Sequence, residues 1–350
     1  MKNKLSLFFV LSLLLVTVCG NAQKKFSVYA VGFYNQENLF DTCHDAGKND
    51  NEFLPNGSYR WNGLKYSHKL HNMARVLVDM GTDVLPNVGC ALIGLSEVEN
   101  DKVLDDLTAQ EPLRARGYKY VHIEGPDARG IDCAMLYNPA LFKVNDAKLL
   151  PYIPDETMKN DFKTRGFLTV NGEMAGEPVT VIVCHWPSRF SGPSYRERAA
   201  YLVKNIKDSL LRVNPATKVF VMGDMNDDPT NKSMKEILGA VPEVKDVKDG
   251  YMYNPWYNIL VKQGTGTLSY QGSWNLFDQI VMTPNLVNKD GKKDYKTLKF
   301  WKNQIFRRDY LMNTEGRYKG TPKRTHASGI WLDGFSDHLP VVVYLVKEQK

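Results

Sequence analysis

Short apolar runs rich in Val, Ile, Leu and aromatic residues recur from Phe26 to Val346, bounded by Gly, Pro, Asn or Asp, and they limit the fold more than any other feature. They predict strands over 26–34, 91–95, 118–123, 132–137, 142–150, 167–170, 179–185, 218–222, 276–282, 295–301 and 339–346. So many strands require large sheets. Leu70, Met73, Ala74, Leu77 and Val78 recur at helical spacing before Gly81, and Tyr195, Ala199, Leu202, Val203, Ile206 and Leu210 repeat the pattern. Each predicts a helix with one apolar stripe to lay on a sheet. Strands and helices that mix without strict alternation predict an α/β fold, a four-layer sandwich of two packed mixed β-sheets with helices outside. No Rossmann or P-loop glycine pattern is present.

With 43% hydrophobic and 24% charged residues over 350, the chain can bury a sizeable core and lacks the composition of a disordered protein. Residues 1–22 combine Lys2 and Lys4 with an apolar run from Leu5 to Val18 and small residues at Gly20 and Ala22, the pattern of a secretory signal peptide. That run is short for a membrane span of about 20 residues, and no later stretch is continuously apolar at that length, so no transmembrane segment is expected. A lipid anchor on Cys19 is the competing reading, against which stands the bulky Val18 where lipoprotein processing favours a small residue. The expected organisation is a signal peptide over 1–22 and a single catalytic domain over 23–350, secreted or periplasmic. The formal charge is +6, of which Lys2 and Lys4 carry two, leaving a mildly basic +4. Beyond the leader, Cys43, Cys90, Cys133 and Cys184 form no paired metal pattern, and the last three sit in apolar runs as expected buried thiols.

Polar residues stand at the ends of the predicted strands: Asn35, Glu97, His185, Asp224, Asn226, Asp278, Asp337 and His338. A sheet presents such positions together on loops at one edge of a rigid scaffold. Two histidines among carboxylates and amides suggest hydrolysis aided by a hard metal ion. In VFVMGDMND, residues 219–227, Gly223 is expected to give a sharp exit from a strand, with Asp224 and Asn226 just beyond.

At this string the chain resembles the endonuclease/exonuclease/phosphatase superfamily, the DNase I-like enzymes, whose G-D-x-N signature is matched by Gly223, Asp224 and Asn226. Further matches fall in the same order: Asn35 and Asn38 in Y-N-x-x-N-L-F, Glu97 in G-L-S-E-V-E, His185 in C-H-W-P-S-R, Asp278 in W-N-L-F-D-Q-I, and Asp337 and His338 in S-D-H-L-P. One tetrapeptide is weak evidence, and the ordered set over Phe26–Val346 is strong.

The resemblance implies a hydrolase of phosphate esters with magnesium as cofactor, manganese being the alternative. It implies Glu97 as metal ligand, with Asn35 and the Asp337 or Asp278 carboxylate near the same ion. His338 is the implied general base, with Asp278 as its partner. Asp224 orients the water or assists the leaving group, and Asn226 and His185 donate to phosphoryl oxygens, His185 working best as a cation. Arg189 and, more loosely, Asn38 are candidate substrate contacts, while Arg196 is expected on a solvated helix face. Arg129 and Asp132 are softer matches, and His44, His68, His71, His122 and His326 are expected at the surface.

Nucleic acid is the expected substrate. The segment from Lys302 to Ser328 is expected as a surface loop that carries Arg307, Arg308, Arg317, Lys319, Lys323 and Arg324 among Phe306, Tyr310 and Tyr318, a mixture suited to phosphates and stacked bases. A sphingomyelinase or inositol-phosphate phosphatase would use the same centre, and Tyr251–Tyr257 is the one segment that could serve as a membrane-docking hairpin. A non-catalytic binding module is the alternative of another class, and it would be expected to have lost Glu97, Asp224 or His338. No protein partner is inferred.

Overall fold

The computed structural model describes residues 24–159, 162–291 and 293–349; the expected signal peptide and Cys19 lie outside the described residues. The first half holds β1 (Phe26–Leu39), α1 (Gly63–Asp79), β2 (Leu92–Val98), α2 (Asp101–Thr108), α3 (Glu111–Arg116), β3 (Lys119–His122), β4 (Asp132–Tyr137), β5 (Phe142–Leu150), β6 (Phe167–Met174) and β7 (Glu177–His185). After it come α4 (Pro193–Val213), β8 (Lys218–Asp224), β9 (Ala240–Val241), β10 (Met252–Tyr253), α5 (Tyr257–Gln263), β11 (Leu268–Tyr270), β12 (Ser273–Asn275), β13 (Asp278–Met282), β14 (Lys299–Ile305), β15 (His326–Ala327), β16 (Ile330–Trp331) and β17 (Val341–Glu348).

One sheet has the order β14-β17-β1-β2-β4-β3 and the other β5-β6-β7-β8-β13-β10-β9. Both are mixed: β1 is parallel to β2 and antiparallel to β17, and β7 is parallel to β8, which is antiparallel to β13. The fold is the expected α/β sandwich. Alternate residues of β1 serve different layers: Val31 and Phe33 face the second sheet, among Val181, Val183, Phe220 and Met222, whereas Ala30 and Tyr34 face α1 through Met73 and Leu77. The outer face of the second sheet, with Ile182, Val219 and Val221, is covered by Ala199, Ala200 and Val203 of α4. Each fully buried aliphatic side chain contributes about 1.5–3 kcal/mol, so the stack of layers is what holds the strand ends in place. At Gly94 a Cβ would stand 2.6 Å from the Met222 sulfur, which marks a close approach of the two sheets.

Three local expectations change. The last edge strand begins at Lys299, not Tyr295, and takes in Lys302–Ile305, which the loop expectation had claimed. Its half-exposed, polar residues are those of an edge, and such a strand carries no apolar run. Tyr251–Tyr257 is packed instead of forming an exposed hairpin: Met252 and Trp256 are buried, and the Trp256 indole donates to the Ile280 carbonyl at 2.9 Å. Gly223 lies inside β8, paired with Gln279, and makes no exit; a Cβ there would come within 2.1 Å of the Cys184 carbonyl oxygen. The turn comes later, at Asn226, with φ of 50°.

Candidate active site

Strand register builds the floor. Asp224 at the end of β8 lies between His185 at the end of β7 and Asp278 at the start of β13, so three chemical side chains stand on neighbouring strands. The first sheet adds Asn35 and Glu97 where β1 and β2 lose their register. There Glu37, Asn38 and Glu97 take φ values of 46°, 56° and 62°, a left-handed conformation that costs non-glycine residues on the order of 1–3 kcal/mol. Local bonds hold this bend. The Glu37 amide donates to Asn35 Oδ1 at 2.8 Å, and the Asn38 amide donates to Glu97 Oε2 at 2.9 Å. With its oxygen thus occupied, Asn35 turns its Nδ2 toward Asp224 Oδ2 at 3.0 Å and Glu97 Oε1 at 3.2 Å.

His338 enters just before β17. Its Nδ1 meets Asp278 Oδ2 at 2.7 Å, while Nε2 faces Asp224 Oδ2 and Asp337 Oδ1, each at 3.9 Å. The Ser336 hydroxyl fixes this approach by donating to the Asn35 carbonyl and accepting from the His338 amide. Glu97, His185, Asp224, Asn226, Asp337 and His338 line one cleft of about 410 Å³.

Electrostatics separate the two histidines. Burial alone would lower His338, but the Asp278 and Asp224 carboxylates outweigh it and hold the imidazole well above its ordinary range. His185 is driven well below that range by burial, reinforced by Arg165 and Arg129. It is therefore neutral near pH 7, contrary to the cationic role expected of it. Burial pushes Asp224 up to about 7, against the pull of His338.

The donor set fits a divalent cation. Glu97, His185 and Asp224 each offer one ligand atom, and these lie within 4.8 Å of one another. His185 Nε2 is 3.7 Å from both Glu97 Oε1 and Asp224 Oδ2. This convergence departs from the expected ligands Glu97, Asn35 and Asp337. Asn35 turns its amide nitrogen to the Glu97 and Asp224 carboxylates, and the Oδ2 of Asp337 accepts a bond of 3.0 Å from Arg324. His185 lies within reach of both Glu97 and Asp224 in this group.

The remaining expected contacts are spread around this centre. Asn226 lines the cleft, but its Nδ2 donates to the Trp186 carbonyl at 3.0 Å. Arg189 is engaged with the Asn226 carbonyl and Asp228 and stacks over Phe277, outside the cleft lining. Asn38 acts through its backbone on Glu97, and its side chain accepts a long bond of 3.4 Å from Arg129. Arg196 is not a solvated-face residue: it is buried, paired with Asp227 at 2.8 Å, and bonded to the Ser188 and Ser191 carbonyls. The side chain of His122 is buried between Asp101 and Asp132, and His326 is buried beside Tyr59 and Trp61, so neither lies at the surface.

Sequence reasoning missed a buried ion network behind the cleft. Glu37 accepts from Arg324 Nε at 3.0 Å and from the Thr325 amide, Arg324 reaches on to Asp337, and Lys69 from α1 bonds Thr325 Oγ1 at 2.7 Å. Burial and the Asp337 charge raise Glu37 to about 7, and burial lowers Lys69 to about 8. The only available signal was the two unusual polar residues between Asn35 and Asn38 in an otherwise apolar strand.

Residues 30–347 match the model of the endonuclease/exonuclease/phosphatase family. The chain belongs to that family, whose members are hydrolases acting on phosphate esters. A comparison with curated protein sequences finds no match. Among solved structures it is similar to ANGEL2, a 2′,3′-cyclic phosphatase, at TM-score 0.58 and 12% identity, covering 94% of this chain and 99% of that one. It is similar also to a mannosyl-6-phosphatase of Bacteroides thetaiotaomicron VPI-5482, at TM-score 0.53 and 17% identity, covering 91% and 99%. The TDP2 of D. rerio, solved with a single-strand DNA product, aligns at TM-score 0.53 and 12% identity over 91% and 99%. At these identities the similarity shows the shared fold.

Proposed function

We propose that this chain is an exported, magnesium-dependent phosphoesterase in which His338 activates water, folded as one catalytic domain over 23–350. The observation that carries the reading is the facing pair in one cleft: the His338–Asp278 dyad at 2.7 Å on one side of Asp224, and the Glu97–His185–Asp224 cluster on the other. Glu97, His185 and Asp224 would hold the ion, which supplies charge compensation to the phosphoryl oxygens. Asp278 holds the Nδ1 proton of His338, so the free Nε2 is the atom that accepts a proton from water. The carboxylates that raise His338 include Asp224, one of the residues that would hold the ion, so a bound divalent charge would offset part of that field.

For the substrate we propose a phosphodiester of nucleic acid, on the support of the mildly basic chain and of the fold shared with a DNA-bound TDP2. Part of the basic aromatic segment is already engaged, Arg308 by Asp79 and Asp83 and Phe306 by burial, while Arg307, Arg317, Tyr318 and Lys319 are exposed. A second reading, hydrolysis of a small phosphate ester, is favoured by a cleft of about 410 Å³, the size of a small-molecule site. Residues 23–350 and a His338→Ala control, incubated with DNA, RNA, sphingomyelin and sugar phosphates with magnesium or with EDTA, decide among these. Cleavage of nucleic acid that needs both metal and His338 is the expected result. Silence on every substrate would sink the enzymatic reading. Export is checked separately by N-terminal sequencing of the recovered protein, which should begin after Ala22.

A further inference from the structure

The cleft has a cationic rim that the metal centre does not use. Arg129, Lys163, Ser188 and Ser191 line the same cleft as Glu97, Asp224 and His338. Arg129 and Lys163 are exposed, and among the described residues neither forms an ion pair. The other arginines near the centre are already committed: Arg165 to Asp127 at 3.0 Å, Arg189 to Asp228, and Arg324 to Glu37 and Asp337. Two cations beside one cavity repel each other, and an anion placed between them removes that cost.

The rim is also braced from behind. The Arg129 amide donates to Asp127 Oδ1 at 2.9 Å, and Asp127 is itself fixed by the buried Arg165, so the loop that presents Arg129 is pinned. Across the cleft floor, buried Arg196 donates to the carbonyls of Ser188 and Ser191 at 3.0 and 3.1 Å, which holds the loop bearing both hydroxyls. Prior fixing of this kind lowers the ordering cost when a ligand binds. An ion held by Glu97, His185 and Asp224 would answer the charge of one scissile phosphate, and Arg129 and Lys163 lie outside that set.

We infer that Arg129, Lys163 and the Ser188 and Ser191 hydroxyls form a second anion seat, which takes a phosphate of the substrate other than the one being hydrolysed. The preferred substrate is thus a phosphate ester with a second phosphate nearby. The catalytic consequence rests on the phosphoesterase reading, whereas the binding does not.

Two measurements keep these apart. In the first, thymidine 3′,5′-bisphosphate is titrated calorimetrically into the protein in EDTA. Binding that weakens tenfold or more in the Arg129→Ala/Lys163→Ala double variant is expected, and equal affinity, or no binding by the parent protein, overturns the seat whatever the enzyme does. In the second, the p-nitrophenyl ester of thymidine 5′-phosphate is compared with the same ester carrying a 3′-phosphate, in magnesium. The parent should favour the second tenfold or more in kcat/KM, through KM, and the double variant should lose that preference, while Arg212→Ala on the far end of α4 keeps it. Equal kcat/KM for the two esters in the parent overturns the inference while the phosphoesterase reading stands. A short oligodeoxynucleotide and a sugar bisphosphate, run in parallel, show whether the second phosphate comes from a polymer or a small molecule, according to which loses hydrolysis in the variant.

Discussion

His185 at the end of β7 and His338 just before β17 are both buried and both within 4 Å of the same Asp224 oxygen, at 3.7 and 3.9 Å. They differ in what meets the other ring nitrogen. His338 Nδ1 meets Asp278, whereas His185 Nδ1 is buried without a hydrogen-bond partner among the described residues. The imidazoles go in opposite directions: the Asp278 and Asp224 carboxylates overcome burial and hold His338 up, while burial, reinforced by Arg165 and Arg129, drives His185 down. Burial by itself does not assign a role to a histidine; the partner on its far side does.

The strongest way to break this contrast is to remove each ring in turn. His338→Ala should lower kcat by about 10²–10⁴-fold on any hydrolysed phosphate ester, the range for loss of a positioned general base, with magnesium affinity by calorimetry nearly unchanged. Glu97→Gln should do the reverse: metal affinity falls about tenfold or more, and part of the activity returns at high magnesium. Equal effects of the two changes on metal affinity would erase the division of labour. Asp278→Asn sharpens the comparison further. The base form of His338 is lost as pH falls through its raised pKa, so removing the Asp278 charge should shift the acid limb of kcat/KM to lower pH while the maximum falls.

The same contrast predicts opposite slopes in stability, measured by denaturant unfolding in EDTA. An unfolded histidine titrates near pH 6.5. His338 is raised in the folded state, so its contribution is full below that pH and lost as pH rises through the folded pKa. His185 is depressed, so its contribution is full above about pH 6.5 and lost as pH falls below it. His338→Gln should therefore flatten the alkaline side of the profile and His185→Gln the acid side. The smallest effect belongs to the basic segment: Arg308→Ala should change nucleic-acid cleavage less than about twofold, because its guanidinium is spent on Asp79 and Asp83. A larger drop would place Arg308 on the substrate surface.

What was legible in the sequence was whatever a strand end dictates locally. Asp132–Tyr137 and Phe142–Leu150 were bounded correctly by alternation and turn residues, and Asn35, Glu97, His185, Asp224, Asp278 and His338 could be seen at strand ends in an ordered set. What stayed hidden depends on partners distant in sequence. Nothing near Arg308 announces that the end of α1 and the turn after it supply its acids, and nothing near Arg196 shows that Asp227 and two carbonyls will surround it. The orientation of the Asn35 amide was likewise set by a backbone bend that periodicity does not encode.

The placement of β17 between β14 and β1 has a consequence for the timing of synthesis. Asn35 and His338 are joined through Ser336 only after the final strand docks beside the first, and the hydrogen bond that closes this gap spans 301 residues of sequence. Contacts of such separation form late because the intervening chain must lose its freedom first. A truncation before Ser336 removes both the Ser336 link to Asn35 and the His338–Asp278 contact.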